Sequence, residues 1–217
     1  MSWLPIYNAF GIFLFILSVF LWNMVGLFSF FIVAFISIVY LWKESLEINV
    51  RYLDSFWMFI LSEVMIFASL LTSCLWFNEI NNDWLSDYLD IPFMGCFVLI
   101  GSSITATVYH HMSYNHSYLV QFYLLFTIFL GFCFVGLQVV EFDECIYSIF
   151  SNSYYASCFC TVGLHFSHVL IGIILLVVLL VFFSKSIFSQ YYCNLVVWYW
   201  HFVDYIWLLV YTVVYLC

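Results

Sequence analysis

Seven predominantly apolar runs, each long enough to cross a bilayer and parted by short polar stretches, fill almost the whole of this 217-residue chain. No other feature limits the fold as much. A hydrocarbon core of about 30 Å is crossed by roughly 20 apolar residues in an α-helix. Lipid offers no hydrogen-bond partners, so each crossing segment must satisfy its own backbone. Cutting the chain at its polar punctuation predicts spans over about 3–22, 24–42, 52–78, 91–111, 118–141, 153–183 and 192–216. Only Asn23 parts the first two, so the turn between them must be tight. The expected fold class is therefore all-α: a polytopic membrane protein with seven transmembrane helices.

Composition agrees. Charged residues make up 7% and hydrophobic residues 67%, whereas soluble domains carry about 25% charged residues. The spans leave no room for an extramembrane domain, so residues 1–217 read as a single membrane domain. The start, MSWLPIYNAFGIF, enters the membrane within a few residues and has neither a basic signal-peptide n-region nor an Arg/Ser-rich presequence. The first helix is then its own insertion signal, or the protein is made where it works. Abundant Phe, Tyr and Cys beside three Lys/Arg fit a thymine-rich coding strand, as in many organelle genomes. The chain shows no Gly-rich phosphate loop, basic patch or nucleophile elbow, which argues against a nucleic-acid partner and against hydrolase chemistry. The eight cysteines form no C-x-x-C motif, and Cys158 and Cys160 are the only close pair. They read as small buried apolar side chains rather than metal ligands.

With seven spans, the loops after the second and sixth helices share a side with the N-terminus. Lys43, Arg51 and Lys185 all fall in those loops. The other side receives Glu79, Asp83, Asp87, Asp90, Asp143 and Glu144, with no base. The positive-inside rule then puts the N-terminus in the cytoplasm or matrix and the C-terminus outside. Trp3, Trp22, Trp42, Trp76, Trp84 and Trp198 lie near expected interfaces, where belt anchoring accounts for them. His110, His111 and His116 border the basic side at headgroup depth. Gln138 and Glu141, near the outer end of the fifth helix, are interfacial polar groups or packing contacts.

A helix rises 1.5 Å per residue, so depth follows from position. Glu63 lies roughly 16 Å into the third span, while His165, His168, His201 and Asp204 lie near the centres of the sixth and seventh. Ionisable groups at mid-depth face the bundle interior and pair there. His165 and His168 are at i and i+3, as are His201 and Asp204, so each pair shares one helix face. The expectation is that the sixth and seventh helices pack through these faces, with an imidazole N–H bonding the Asp204 carboxylate. Asp204→Ala would then orphan buried donors at about 1–3 kcal/mol each. Glu63 either joins this cluster or stays protonated, as a proton-handling group or a neutral hydrogen-bonded carboxyl. The two-His ladders of di-haem membrane cytochromes are absent.

Five motifs now resemble, in order, those of the cytochrome c oxidase subunit III family: RYLDSFWMFILSEVMIF at 51–67, YHHMS at 109–113, LQVVEF at 137–142, GLHFSHVLIG at 163–172 and WYWHFVD at 198–204. The resemblance covers roughly 51–217, and the first fifty residues agree only in containing two spans. It implies a subunit without catalytic residues, metal or haem of its own, flanking the haem–copper catalytic subunit I among the other oxidase subunits. It implies a two-helix group (1–50) and a five-helix group (51–217), separated by a cleft that holds phospholipids. Glu63 takes the place of the family's buried, carbodiimide-reactive functional carboxyl, with His165, His168, His201 and Asp204 as a structural cluster. The family role is to stabilise the catalytic subunit and support its proton uptake, as electrons pass from cytochrome c to oxygen with proton pumping. The implied location is the mitochondrial inner membrane, with a matrix N-terminus and an intermembrane-space C-terminus.

Two stretches depart from the family pattern: ESLEINV before the third helix and SKSIFSQYYC after the sixth. Both lie where lipid headgroups and partner loops would bind. A competing reading is an independent transporter or proton channel that uses the mid-depth acids and histidines as a relay. Such proteins often show internal repeats or broken helices. Neither is found here, and the two prolines, Pro5 and Pro92, lie near helix starts. A haem-bearing membrane anchor is a third reading.

Overall fold

The computed structural model describes residues 3–47, 53–78, 85–112, 118–183 and 190–216. Arg51, Glu79, Asp83, Trp84, His116 and Lys185 lie outside them, as does the side chain of Trp42. The described chain is all-helical: α1 (Leu4–Phe20), α2 (Met24–Glu47), α3 (Leu53–Phe77), α4 (Ile91–Met112), α5 (Tyr118–Glu144), α6 (Ser153–Phe183) and α7 (Gln190–Val210). After α7 the chain widens into π-helical turns over Tyr211–Leu216. Six of these helices are long and apolar enough to cross a membrane; α1, at 17 residues, is shorter but still within the lower end of spanning lengths. The protein is a polytopic all-α membrane protein.

The helices divide into two compact units, Met1–Leu53 and Asp54–Cys217. In the first, α1 starts with Pro5 in its opening turn, where the missing N–H costs nothing. The turn into α2 is as tight as a single Asn suggested. Trp22 takes a left-handed φ of 49°, an uncommon conformation for a residue with a Cβ. The turn is held because the Asn23 N–H donates to the Ser18 carbonyl at 2.9 Å, while its Oδ1 accepts from the Val25 N–H at 3.1 Å. The paired helices meet through Phe15 and Phe30, 4.7 Å between centroids, and through Ser37 Oγ donating to Asn8 Oδ1.

In the second unit α4 packs on α5 and α7, and α6 packs on the same two helices. The outward faces are as apolar as the interior, so hydrophobicity alone cannot orient these helices; small and hydroxyl side chains do. Trp200 shows how. Its indole is fully buried, and Nε1 donates to Ser102 Oγ on α4 at 3.0 Å. A Cβ on Gly131 of α5 would stand 3.0 Å from this ring, and one on Gly172 of α6 2.8 Å away. Two glycines therefore make the hollow that a large aromatic fills. α3 is the least embedded helix, with only Phe67 and Cys74 buried along its length.

Candidate functional site

The mid-depth residues form two groups rather than one cluster, on opposite sides of α7. On the first side, His168 of α6 links three helices. Its Nδ1 pairs with the Tyr199 hydroxyl on α7 at 2.8 Å, and its Nε2 with Glu63 Oε2 on α3 at 3.2 Å. Phe67 and Phe202 flank the imidazole, at 5.6 and 6.4 Å between ring centroids. The Glu63 side chain is 16% exposed and faces a groove of about 480 Å³ whose walls include Phe56, Phe59, Leu175, Leu179 and Val196. A carboxyl, an imidazole and a phenol in one hydrogen-bonded row can hold and pass a proton, since imidazole donates at one nitrogen and accepts at the other.

His165, one turn earlier on α6, is fully buried, and its Nε2 pairs with the Val203 carbonyl at 3.2 Å. Its ring lies edge-on to Phe134 and 4.9 Å from Trp207. This corrects the expected imidazole–Asp204 bond: the histidine reaches the α7 backbone one residue short of the acid. Asp204 and His201 turn instead toward α4. His201 Nδ1 pairs with Ser103 Oγ at 2.7 Å, and its Nε2 lies 3.4 Å from Thr107 Oγ1. Ser103 also stands beside the buried Asp204 carboxyl, whose Oδ1 has no partner among the described residues. The physical reason is the position of α7 between α4 and α6. Residues three apart share a face, but that face is presented to the neighbour richest in hydroxyls. That neighbour is α4, through the stretch SSITAT at 102–107.

Gln138 and Glu141, near the end of α5, are 2% and 3% exposed and make packing contacts, one of the two readings their position allowed. Glu141 Oε1 accepts from Ser86 Oγ at 2.9 Å and from the Tyr215 hydroxyl at 2.5 Å, while Oε2 accepts from Gln138 Nε2 at 2.6 Å. One carboxylate thus joins α5, the segment before α4 and the C-terminal π-helical turns. His110 is half-buried and pairs with Asn194 Oδ1 at 2.9 Å, whereas His111 is exposed. Sequence reasoning missed Tyr199, Ser103, Thr107, Ser86 and Tyr215. The hydroxyl-rich stretch in α4 was a usable signal, whereas a tyrosine among seventeen carries none. Among the described residues no three His, Cys, Asp or Glu side chains converge as a metal site.

A bundle of apolar helices long enough to span a membrane, tied together by buried polar contacts such as Glu63 with His168, defines the class: a polytopic α-helical membrane protein. The family model for cytochrome c oxidase subunit III matches residues 46–217, which include the whole second unit. Cytochrome c oxidase subunit 3 of Drosophila melanogaster is 34% identical over 174 residues, covering 73% of this chain and 66% of that protein. The protein of the same name from Bacillus sp. (strain PS3) is 32% identical over 173 residues, covering 74% and 83%. That from Heterololigo bleekeri is 37% identical over 130 residues, covering 58% and 50%. The chain belongs to the cytochrome c oxidase subunit III family.

Proposed function

We propose that this chain is the non-catalytic core subunit of a respiratory cytochrome c oxidase. It supports the haem–copper subunit I, whose metals carry electrons from cytochrome c to oxygen with proton pumping. The observation that carries this reading is the family match over the whole second unit, together with Glu63 held by His168 at the rim of an apolar groove. In this role the chain contributes no redox centre. Glu63, His168 and Tyr199 hold a labile proton near the bilayer midplane, and the groove's apolar walls suit a phospholipid acyl chain. The location that fits the composition is the mitochondrial inner membrane, with the N-terminus in the matrix and the C-terminus in the intermembrane space.

Affinity purification from membranes in mild detergent tests the assignment. The tagged chain is expected to bring down a haem-containing complex that oxidises reduced cytochrome c, and to lose the Soret absorbance once separated from its partners. A chain that purifies alone, or that keeps haem or copper after separation, would overturn it.

A further inference from the structure

Two polar contacts hold α3 against α6. One is Glu63 with His168. The other lies eleven residues further along α3, where Cys74 Sγ meets Thr161 Oγ1; Cys158, ten residues back along α6 from His168, shares a helix face with Thr161 at i and i+3 and neighbours Cys74. In α-helices these steps rise roughly 16 and 15 Å, so both contacts belong to a single antiparallel register that sets the two sulfurs at one height. Both thiols are free. Cys74 is 1% exposed and Cys158 0%, and Thr161 Oγ1 lies 3.5 Å from Cys74 Sγ. Read from the sequence, these cysteines were filler; their pairing across two helices is not what filler requires.

We propose that Cys74 and Cys158 form a redox-responsive dithiol, which a peroxide converts into a disulfide tying α3 to α6. One thiolate attacks a peroxide oxygen, breaking the O–O bond and leaving a sulfenic acid, with the first water released. The second sulfur displaces the sulfenic hydroxyl, the S–S bond forms, and a second water leaves with the remaining thiol proton. Each sulfur gives up one electron and the peroxide takes both, so two thiols and one hydrogen peroxide yield one disulfide and two waters. The two neighbouring sulfurs then close to a bond of about 2.05 Å. Cys74 stands three residues before the end of α3 at Phe77, and Cys158 five residues after the start of α6 at Ser153. Both therefore lie roughly 5–8 Å along the axis from their helix ends, and because both are buried the oxidant has to be small and uncharged. The consequence falls on α3, the helix of the second unit with the fewest buried residues of its own: once linked, it can no longer separate from α6 at this end. This inference does not depend on the oxidase reading.

Differential alkylation in native membranes tests it. Membranes are reduced, freed of reductant, exposed to hydrogen peroxide, then denatured and blocked with N-ethylmaleimide. A second reduction and iodoacetamide labelling follow, read by mass spectrometry. Iodoacetamide label is expected to rise several-fold on Cys74 and Cys158 together, and an unreduced sample should hold their peptides joined. Cys74→Ser should abolish the rise at Cys158. Two thiols that stay blocked by maleimide at a dose that oxidises the exposed Cys160 would overturn the proposal. So would separate conversion of each to a sulfinic acid. The first measurement uses the unaltered chain, so a variant that fails to assemble does not prevent a decision.

Discussion

Three buried or half-buried carboxyls of the second unit stand in different surroundings, and their substitutions should differ accordingly. Glu141 accepts from Gln138 Nε2 and from the hydroxyls of Ser86 and Tyr215. Removing it strands three donors, at about 1–3 kcal/mol for each buried one. The nearest hydroxyl to Asp204, that of Ser103, is already paired with His201, and Asp204 Oδ1 has no partner among the described residues; Asp204→Ala therefore orphans no donor and should cost about 1 kcal/mol or less. This reverses the expectation drawn from depth alone. Thermal unfolding of the purified complex decides it: Glu141→Ala should lower the midpoint clearly more than Asp204→Ala, and equal shifts would refute the account. Glu63 differs again, being partly open to the groove. A hydrophobic carbodiimide should modify Glu63 in preference to Glu141, seen as a mass adduct on its peptide. Glu63→Gln should lose the adduct and keep assembly, because the amide oxygen still accepts from His168. An adduct on Glu141 at an equal rate would show that the groove does not govern access. Mid-depth position and family motif made Glu63, His165, His168, His201 and Asp204 legible in the sequence. Their partners were not, because a helix face known only by its i and i+3 spacing does not reveal which neighbour it meets.

Helix boundaries were far easier to read. The span expected over 91–111 is α4 at Ile91–Met112, and that over 153–183 is α6 at Ser153–Phe183. Polar punctuation marks where lipid ends, a cue that does not depend on tertiary packing. Packing between helices was the part left dark, since outward faces carry residues such as Phe122, Phe126 and Phe129 that look like core. The Trp200 hollow shows the missing information. Its glycines, Gly131 and Gly172, are unremarkable by composition, yet each stands where a Cβ would press on the indole or on Ile173. Gly172→Ala should force the Trp200 ring to shift, at the roughly 1–3 kcal/mol typical of overpacking. Gly163→Ala, with nothing within 4 Å of the added Cβ, should be neutral or slightly stabilising by helix propensity. Comparing the two variants by thermal unfolding of the complex isolates the clash. If Gly172→Ala proves as benign as Gly163→Ala, the indole is not locked by α6.

The second unit taken whole has a chemical polarity that follows from its alternating helices. Asp87 and Asp90 precede α4, and Asp143 and Glu144 end α5, whereas His110 and His111 close α4 at its other end. Because successive helices reverse direction, all four acids gather at one end and the two imidazoles at the other. A field of one sign at one face and titratable imidazoles at the other suits an insertion set by positive residues on the inner side. The expected topology puts the acidic end in the intermembrane space. A membrane-impermeant maleimide reads this directly. Ser151→Cys, on the exposed segment between α5 and α6, should label in mitoplasts with an intact inner membrane. His111→Cys, exposed at the far end of α4, should label only after that membrane is opened, with the unaltered chain fixing the background from native cysteines. The reverse pattern would turn the chain over in the membrane. Labelling of both positions in intact mitoplasts would mean that the α4 terminus lies in an aqueous opening through the bundle, the arrangement a relay-type transporter needs and an accompanying subunit does not.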